Sequence, residues 1–287
     1  MRQERTMIDA HVHVWPGEFD RFPLAEGFSP EGVEPRAFTP ETLLGLGRPA
    51  GVRRYVLVQP RCFGTDNAYV LEQIRRHPDT FRGIAVVDHR RPDLLEELGR
   101  LSTGGIRGVR VRPAARPAGP WLDEGAYAEL FRICAELGLA VCALIEPDGI
   151  EDLGRMCAEF PGTSVVVDHM ARIGGDAPVD EADMRRLCAL AAFGQVEVKV
   201  SAFYALGLKR PPHTDLAQPI RMLRDAFGAA RLMWGSDCPY QVVSERYEDS
   251  LSLVRDRLNF LDGDDRLWIL GGTAERTFFG ASGHGRG

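Results

Sequence analysis

Two features that nucleic-acid and membrane proteins need are missing from this sequence of 287 residues. Acidic residues outnumber basic ones by 41 to 35, for a net charge of −6, so there is no basic excess to bind phosphates. No apolar run reaches the roughly 18 residues of a membrane-spanning helix. The chain opens on the charged segment MRQERT, not on an apolar signal core. We therefore expect a cytoplasmic protein with no nucleic-acid or membrane partner. A homo-oligomer remains possible.

Paired cysteines are absent as well. None of the six cysteines forms a CxxC motif, the spacing typical of a redox motif or a zinc ribbon. Cys62 and Cys238 fall near the ends of predicted strands, and the other four fall within predicted helices or strands. We expect reduced cysteines that mostly pack in the core.

What the sequence does contain is a regular alternation of short apolar runs and amphipathic stretches. Eight runs rich in β-branched residues are predicted strands, namely 7–15, 53–59, 81–88, 106–112, 139–146, 164–170, 196–203 and 231–237. Among the stretches between them, 123–138 and 180–193 begin with acidic residues, as helix N-termini favour, and Gly138 would end the first. Eight strands with helices between them predict an α/β fold, a (β/α)8 TIM barrel.

We expect this barrel to form one domain over residues 1–280, because no linker or low-complexity segment divides the chain. The segment 16–50, rich in proline and glycine, is expected to be an elaborated loop over the barrel mouth. Together with the loop RPAARPAGPW at 112–121, it would set specificity. The end of the chain, 281–287, is expected to be a flexible tail.

The first strand carries two histidines two residues apart, in IDAHVHVW at 8–15. Side chains alternate along a strand, so Asp9, His11 and His13 should point into the barrel. The apolar residues of the other face should meet the helices; they are Ile8, Ala10, Val12 and Val14. Two imidazoles at the C-terminal end of a barrel strand are suitable metal ligands, although an isolated HxH is as often a hydrogen-bonded core pair.

Three further strand ends carry groups that bind metals. His169 follows Val165 and Val167 on one predicted face, Glu146 ends the fifth strand, and Asp237 ends the eighth. Each alone would be an ordinary loop residue. Since parallel barrel strands end at the same mouth, the combination with the two first-strand histidines favours a metal site, and zinc binds such nitrogen and carboxylate ligands.

Basic and aromatic residues at the same mouth suggest an anionic substrate. Arg110 and Arg112 share the inward face of the fourth strand, Arg61 follows the second, and Lys199 points inward from the seventh. Guanidinium groups bind carboxylates through paired hydrogen bonds. The alternative is that the fourth-strand arginines pair with Asp88 or Glu146 inside the barrel. Two aromatic residues would shape the pocket, Tyr204 and Tyr240.

Several of these segments resemble a known family. DAHVHVW at 9–15, VVVDHMARIG at 165–174 and LMWGSDCPY at 232–240 are similar to the amidohydrolase superfamily. They are most similar to the branch that includes 2-pyrone-4,6-dicarboxylate lactonase and sugar lactonases, as are 59–78 and 271–279. The resemblance implies a distorted (β/α)8 barrel. It matches His11 and His13 to the first-strand motif, His169 to the later histidine and Asp237 to the final-strand aspartate.

The departures from the family concern the metal. Binuclear amidohydrolases use two further strand histidines, and this chain offers only His169, with Glu146 near where another is expected. Lys199 lies on a later strand than the usual bridging lysine. We therefore expect at most one divalent ion, most simply zinc. Some lactonases of this branch are thought to work without metal, so a metal-free site stays open.

The function predicted is hydrolysis of a small, anionic lactone by water attack on the ester carbonyl. Asp237 would be the general base, because a carboxylate at the mouth can take a proton from water and return it to the leaving oxygen, with His169 as the second catalytic residue. One alternative is a metal-dependent decarboxylase of a carboxylated ring. Such an enzyme needs an acid, and His213, which lies in a predicted loop, is not a clear candidate for it. Another is a catalytically dead barrel that binds a ligand.

Overall fold

The structure is a computed structural model that describes residues 6–112 and 125–280. Its eight strands pair in parallel in the order of the chain. They are β1 (Met7–Val12), β2 (Val52–Val58), β3 (Phe81–Ala85), β4 (Ile106–Val111), β5 (Ala140–Ala143), β6 (Val165–Val167), β7 (Val196–Ser201) and β8 (Leu232–Gly235). With helices between the strands, this nearly closed sheet confirms the predicted (β/α)8 TIM barrel.

The helices follow the strands around the outside of the barrel. They are α1 (Pro40–Gly47), α2 (Ala68–Arg76), α3 (Leu94–Thr103), α4 (Gly125–Leu137), α5 (Ile150–Glu159), α6 (Glu181–Ala189), α7 (Ala217–Phe227), α8 (Tyr247–Ser252) and α9 (Gly263–Leu267). Gly138 follows α4 with a φ of +65°, and the Asp180 side chain caps α6, which confirms the predicted end of the first helix and the predicted start of the second. Among the described residues, no helix has the length and apolar character to cross a membrane.

Two predicted segments lie outside the described residues. Most of the loop at 112–121 does so, together with the first two residues of the helix predicted at 123–138. The tail at 281–287 lies outside as well. The predicted specificity role of that loop and the predicted flexibility of the tail stay predictions.

Backbone contacts join β8 to β1 and close the barrel at its mouth. The Asp237 amide donates to the His11 carbonyl at 2.8 Å, and the His13 amide donates to the Cys238 carbonyl at 2.7 Å. A Cβ on Gly235 would lie 2.8 Å from the Cβ of His11, so this close approach requires glycine. The closure therefore places Asp237 beside both first-strand histidines.

The predicted facing of β1 is correct for its histidines but wrong for the residues before them. Ile8 and Ala10 belong to the apolar cluster inside the barrel, with residues of β2, β3, β5, β6 and β8. Asp9 instead bonds Tyr247 of α8. The pairing of β1 with β2 is irregular between Asp9 and Val12. Such an irregularity interrupts the simple alternation, and His11 still points inward.

The strands end earlier than predicted, and two key residues lie just beyond their ends. His169 was expected on a face with Val165 and Val167, but those valines pack in the helix-side core. His169 has a φ of +53° and Asp237 a φ of +65°. Left-handed backbone costs a non-glycine residue about 1–2 kcal/mol. Local turns, not strand alternation, therefore aim these two side chains.

The segment 16–50 is more structured than the predicted loop. It includes α1, because Pro40 fits the first turn and Thr39 caps it, accepting from the Thr42 amide at 3.3 Å. Phe38 of this segment also pairs with Trp15, the residue just before it, through backbone hydrogen bonds of 2.9 and 3.1 Å. A helix signal of the type Thr-Pro-Glu was therefore present in the sequence but not recognised.

Asp9 ties three elements together below the mouth, and its loss should destabilise the fold. Its carboxylate accepts from the Ser236 amide at 2.9 Å, the His11 amide at 3.2 Å and the Tyr247 hydroxyl at 2.9 Å. Asp9→Ala leaves these buried donors unsatisfied, so we expect the free energy of unfolding to fall by about 2–4 kcal/mol in urea titration. Asp9→Asn is the matched control, because it keeps an acceptor. Equal losses in both variants would contradict this account.

Candidate active site

Three histidines surround one carboxylate at the barrel mouth. Asp237 Oδ1 lies 3.3 Å from His13 Nε2 and 3.6 Å from His11 Nε2, and its Oδ2 lies 3.9 Å from His169 Nε2. All four side chains are buried. The structure thus brings together four of the five predicted metal ligands from strands 1, 6 and 8.

Two of these histidines are oriented by their other ring nitrogen. His13 Nδ1 lies 2.8 Å from the Val58 carbonyl oxygen, which can only accept, so Nδ1 carries the proton in the neutral ring. His169 Nδ1 lies 2.8 Å from the Ser201 hydroxyl. In both cases Nε2 faces Asp237, which is the orientation of a metal-ligating or substrate-facing imidazole.

Burial and charge set the protonation of this group. Burial lowers the pKa of His169 to about 4, and burial also lowers the pKa of His11 well below its usual value. Burial alone would raise the pKa of Asp237, but the imidazoles around it outweigh burial and hold that pKa below its usual range. Near neutral pH Asp237 is therefore ionised while His11 and His169 are neutral, so the carboxylate is free to accept a proton.

A second buried carboxylate, which sequence reasoning missed, lies beneath the first. Asp168 Oδ1 lies 3.0 Å from Lys199 Nζ and 3.5 Å from His11 Nδ1, and its Oδ2 lies 3.4 Å from Arg110 Nε. Burial would raise the pKa of Asp168, but these neighbours hold it well below its usual value. The alternation of β6 contained the signal, because Asp168 follows Val166 on the inward face.

A cavity of about 320 Å³ opens above the carboxylate Asp237. Its polar wall consists of His13, Arg61, Arg110, Arg112, His169, Arg172, Tyr204, Asp237 and Tyr240. The Tyr204 hydroxyl donates to Asp237 Oδ2 at 2.8 Å. Burial and this carboxylate raise the pKa of Tyr204 above its usual range, so Tyr204 stays a donor. The two tyrosines therefore lie at the cavity as predicted, one of them bonded to the carboxylate.

Two of the arginines at the cavity are paired, though not as the sequence alternative had it. Arg110 contacts Asp168, and Glu146 pairs with Arg172 at 2.6 Å. Arg61 and Arg112 form no ion pair with a carboxylate of the described residues. Burial, with Arg61 and Arg110 nearby, lowers the pKa of Arg112. The cavity thus carries positive charge that no carboxylate of the described residues neutralises.

Three residues proposed from the sequence take other places. Glu146 is not part of the histidine cluster; it lies beyond the end of β5, with its side chain 43% exposed on Arg172, so the structure does not support it as a metal ligand. Lys199 is fully buried and does not line the cavity. His213 bonds Glu245 at 3.0 Å in a buried pair and does not line the cavity, so it supplies no acid for a decarboxylase.

The comparison with known families bears directly on this site. A family profile described as amidohydrolase matches residues 8–280. The chain belongs to the amidohydrolase family. The match spans the first-strand histidines, His169 and Asp237, and it confirms the resemblance that these motifs predicted.

Two relatives of this amidohydrolase are lactone hydrolases by name. L-fucono-1,5-lactonase of Burkholderia ambifaria is 28% identical over 280 residues, which cover 93% of this chain and 93% of that protein. 2-Pyrone-4,6-dicarboxylate hydrolase of Comamonas testosteroni is 30% identical over 264 residues, 86% of this chain and 81% of that protein. Family and relatives together identify an enzyme of the lactonase-like hydrolase type, as the sequence predicted.

Solved structures of amidohydrolases share the fold. A probable 2-pyrone-4,6-dicarboxylic acid hydrolase of Acinetobacter baumannii, with citric acid bound, has a TM-score of 0.81 at 26% identity, over 96% of this chain and 99% of that one. An amidohydrolase of Burkholderia multivorans with bound zinc has a TM-score of 0.79 at 22% identity, over 96% and 99%. At this identity, the similarity to the zinc-bound protein shows only that the two chains share a fold.

The donor set of this amidohydrolase fits a divalent metal ion. Ligand atoms of His11, His169 and Asp237 lie within 4.8 Å of one another. His13 Nε2 lies 3.3 Å from Asp237 Oδ1, so a third imidazole nitrogen borders the same group of atoms. Nitrogen and carboxylate donors of this kind suit zinc.

Proposed function

We propose that this amidohydrolase opens a small lactone bearing a carboxylate or a similar anionic group, by attack of water on the ester carbonyl. The observation that carries this proposal is the cavity itself. An ionised carboxylate surrounded by imidazoles lies at its base. Its wall includes Arg61 and Arg112, which have no carboxylate partner among the described residues. The names of the two relatives, one a sugar lactonase and one a pyrone dicarboxylate hydrolase, support it.

Asp237 is the general base in this proposal. It takes a proton from the attacking water as the oxygen bonds to the carbonyl carbon, and it returns that proton to the ring oxygen as the ester bond breaks. Tyr204 donates to Oδ2, so it holds the carboxylate in one orientation and leaves Oδ1 on the side of His11 and His13. Fixed orientation of the base lowers the entropic cost of the step.

The metal proposed here is one divalent ion, most simply zinc, held by Asp237, His169 and the first-strand histidines. When bound, such an ion lowers the pKa of water or polarises the carbonyl. His169 is the second catalytic residue, because its Nε2 faces both Asp237 and the cavity. The Ser201 hydroxyl fixes the ring of His169 for either role.

In this proposal the arginines of the cavity bind the anionic group of the substrate. Arg61 and Arg112 are available for a planar, bidentate contact with a carboxylate. Arg110 Nε lies 3.4 Å from Asp168 Oδ2, and Arg110 also lines the cavity. This ion pair fixes the position of its guanidinium in the cavity wall. An anion there would hold the ester carbonyl of a small ring near Asp237.

A panel of lactones tests the proposed substrate class. Each carboxylated lactone is paired with its methyl ester, and acid release is followed in weak buffer. We expect hydrolysis of carboxylated members, with kcat/KM roughly 10- to 150-fold lower for the neutral esters, as for loss of a charge-assisted hydrogen bond. Equal values of kcat/KM for the carboxylated lactone and its methyl ester would show that the enzyme does not require an anionic substrate. Inactivity toward every lactone would remove the lactonase assignment.

The metal prediction is tested on protein purified without chelator. We expect elemental analysis to find about one divalent ion per chain, because the site offers one set of nitrogen and carboxylate ligands. Removal of the ion by a chelator should abolish hydrolysis, and added zinc should restore it. Full activity of metal-free protein would show that the histidines act on the substrate directly.

A further inference from the structure

A second cavity, which the proposed reaction does not use, lies beside the first. Its volume is about 310 Å³, against about 320 Å³ for the cavity above Asp237. Four residues line both cavities, namely Arg61, Arg110, Arg112 and Leu144. The two cavities therefore adjoin along these side chains, and a molecule bound in one lies next to the other.

The wall of the second cavity differs in character from that of the first. The first cavity is lined mostly by polar side chains. Beyond the shared boundary, the second is lined mainly by apolar side chains, among them Val86, Val87, Val109, Val111, Tyr127 and Leu130. These residues come from the end of β3, from β4 and from α4. An apolar wall hydrates poorly, so the second cavity favours an apolar occupant.

Some of this apolar wall is left partly in water. Phe28 lines the second cavity and is 40% exposed, and Val86 and Val87 are only partly buried. A ligand that covers such side chains removes apolar surface from water, which is why apolar concavities of this kind mark binding sites. Through Phe28 the segment 16–50 reaches this cavity.

Two arginines at the boundary between the cavities are not held by ion pairs. Arg61 and Arg112 are exposed, and neither has a carboxylate partner among the described residues. No ion pair of that kind has to break for these side chains to turn aside. An anion bound to them would lie at the boundary, with one of the groups attached to it in each cavity.

We propose that the second cavity binds an apolar arm of the substrate, an alkyl or aryl group of about four to six carbons. A cavity of about 150 Å³ can hold benzene, so about 310 Å³ has room for such a group. The substrate is then a lactone whose carboxylate lies between the ring and the apolar arm. This statement about the lactone rests on the proposed function, whereas binding of an anion with an apolar arm does not.

Binding of alkylsuccinates tests the second cavity without turnover. Dissociation constants are measured by isothermal titration calorimetry for succinate and for alkylsuccinates with unbranched arms of one to six carbons. We expect each of the first four carbons to tighten binding by about 3- to 4-fold, so butylsuccinate should bind roughly 100-fold more tightly than succinate. Equal affinities for succinate and butylsuccinate would overturn the proposal.

The Val87→Phe substitution shows where the arm lies. Val87 lines the second cavity and not the first, so the larger side chain should fill the space for the arm. The ratio of the two affinities should fall to about 3-fold or less. Val243→Phe is the matched control, because Val243 is 59% exposed and lines neither cavity, and it should keep the wild-type ratio. An unchanged ratio in Val87→Phe would place the arm elsewhere and contradict the proposal.

Phe28→Ala decides the question if Val87→Phe does not fold. The Phe28 side chain is 40% exposed, so its removal leaves no large void in the core. The affinity of butylsuccinate relative to succinate should fall by about 3- to 10-fold, since part of the apolar wall is lost. A ratio equal to that of the wild type would count against the second cavity.

Hydrolysis distinguishes failure of this inference from failure of the proposed function. The substrates are δ-valerolactones that carry on ring carbon 4 a carboxylate and an alkyl arm of zero to four carbons. We expect kcat/KM to rise roughly 100-fold from no arm to butyl in the wild type, and we expect Val87→Phe to remove that rise. Hydrolysis that does not depend on the arm would overturn the inference and leave the proposed function intact. If no lactone is hydrolysed while butylsuccinate still binds through its arm, the proposed function fails and the apolar site remains.

Discussion

Asp237→Asn is expected to lower kcat for lactone hydrolysis by about 10²–10⁴-fold, the usual contribution of general-base assistance. Asparagine keeps the size of the side chain and an acceptor for the Tyr204 hydroxyl, but its amide is not a useful base. Substrate should still bind, because Arg61 and Arg112 are untouched. The measurement is steady-state hydrolysis of the best lactone of the panel, with protein loaded with metal before the assay.

The control for this variant is Asp88→Asn. Asp88 is an exposed carboxylate after β3 whose Oδ1 accepts from the Arg90 amide, and it does not line the cavity. The Asp88→Asn substitution should leave kcat unchanged. Because Asp237 is also a proposed ligand, metal content must be measured in the same samples. Near-normal turnover in metal-loaded Asp237→Asn would exclude Asp237 as the base.

Arg112→Met should lower kcat/KM for an anionic lactone by about 1.5–3 kcal/mol, or roughly 10- to 150-fold, the range of a hydrogen bond to a charged group. Most of the loss should be in KM, because the guanidinium binds the anion and not the reacting ester. The thermal midpoint should not fall, since Arg112 has no carboxylate partner among the described residues and lies among other arginines.

Two comparisons sharpen the test of Arg112. Arg110→Met should lower both kcat/KM and stability, because it also removes a partner of buried Asp168. Arg107→Met changes an arginine of the same strand that bonds the Ser102 carbonyl, away from the cavity, and should not affect KM. Loss of stability without loss of affinity in Arg112→Met would show a structural role instead.

The barrel could be predicted from the sequence because its strands repeat one local pattern. Every run of β-branched residues in the prediction contains an observed strand or most of it, and the inward facing of Arg110 and Lys199 followed from alternation alone. The alternation rule failed where the backbone departs from regular strand geometry. The irregular pairing after Asp9 reverses the faces of Ile8 and Ala10.

The active site could be predicted in part, for the same reason. His11, His13, His169 and Asp237 were found because strand ends converge at the mouth of a barrel. The left-handed turn that orients His169 also places Arg172, whose φ is +55°, at the cavity. No pattern in the sequence predicts such a turn. Glu146 was misplaced because β5 ends at Ala143, three residues before it.

Hydrolysis in water enriched in ¹⁸O, followed by mass spectrometry of the product, tests the central claim most directly. Attack of water on the ester carbonyl cleaves the bond between the carbonyl carbon and the ring oxygen. We predict one ¹⁸O atom in the new carboxylate and none in the new hydroxyl group after a single turnover. Label in the hydroxyl group, or a product that has lost carbon dioxide, would contradict the account.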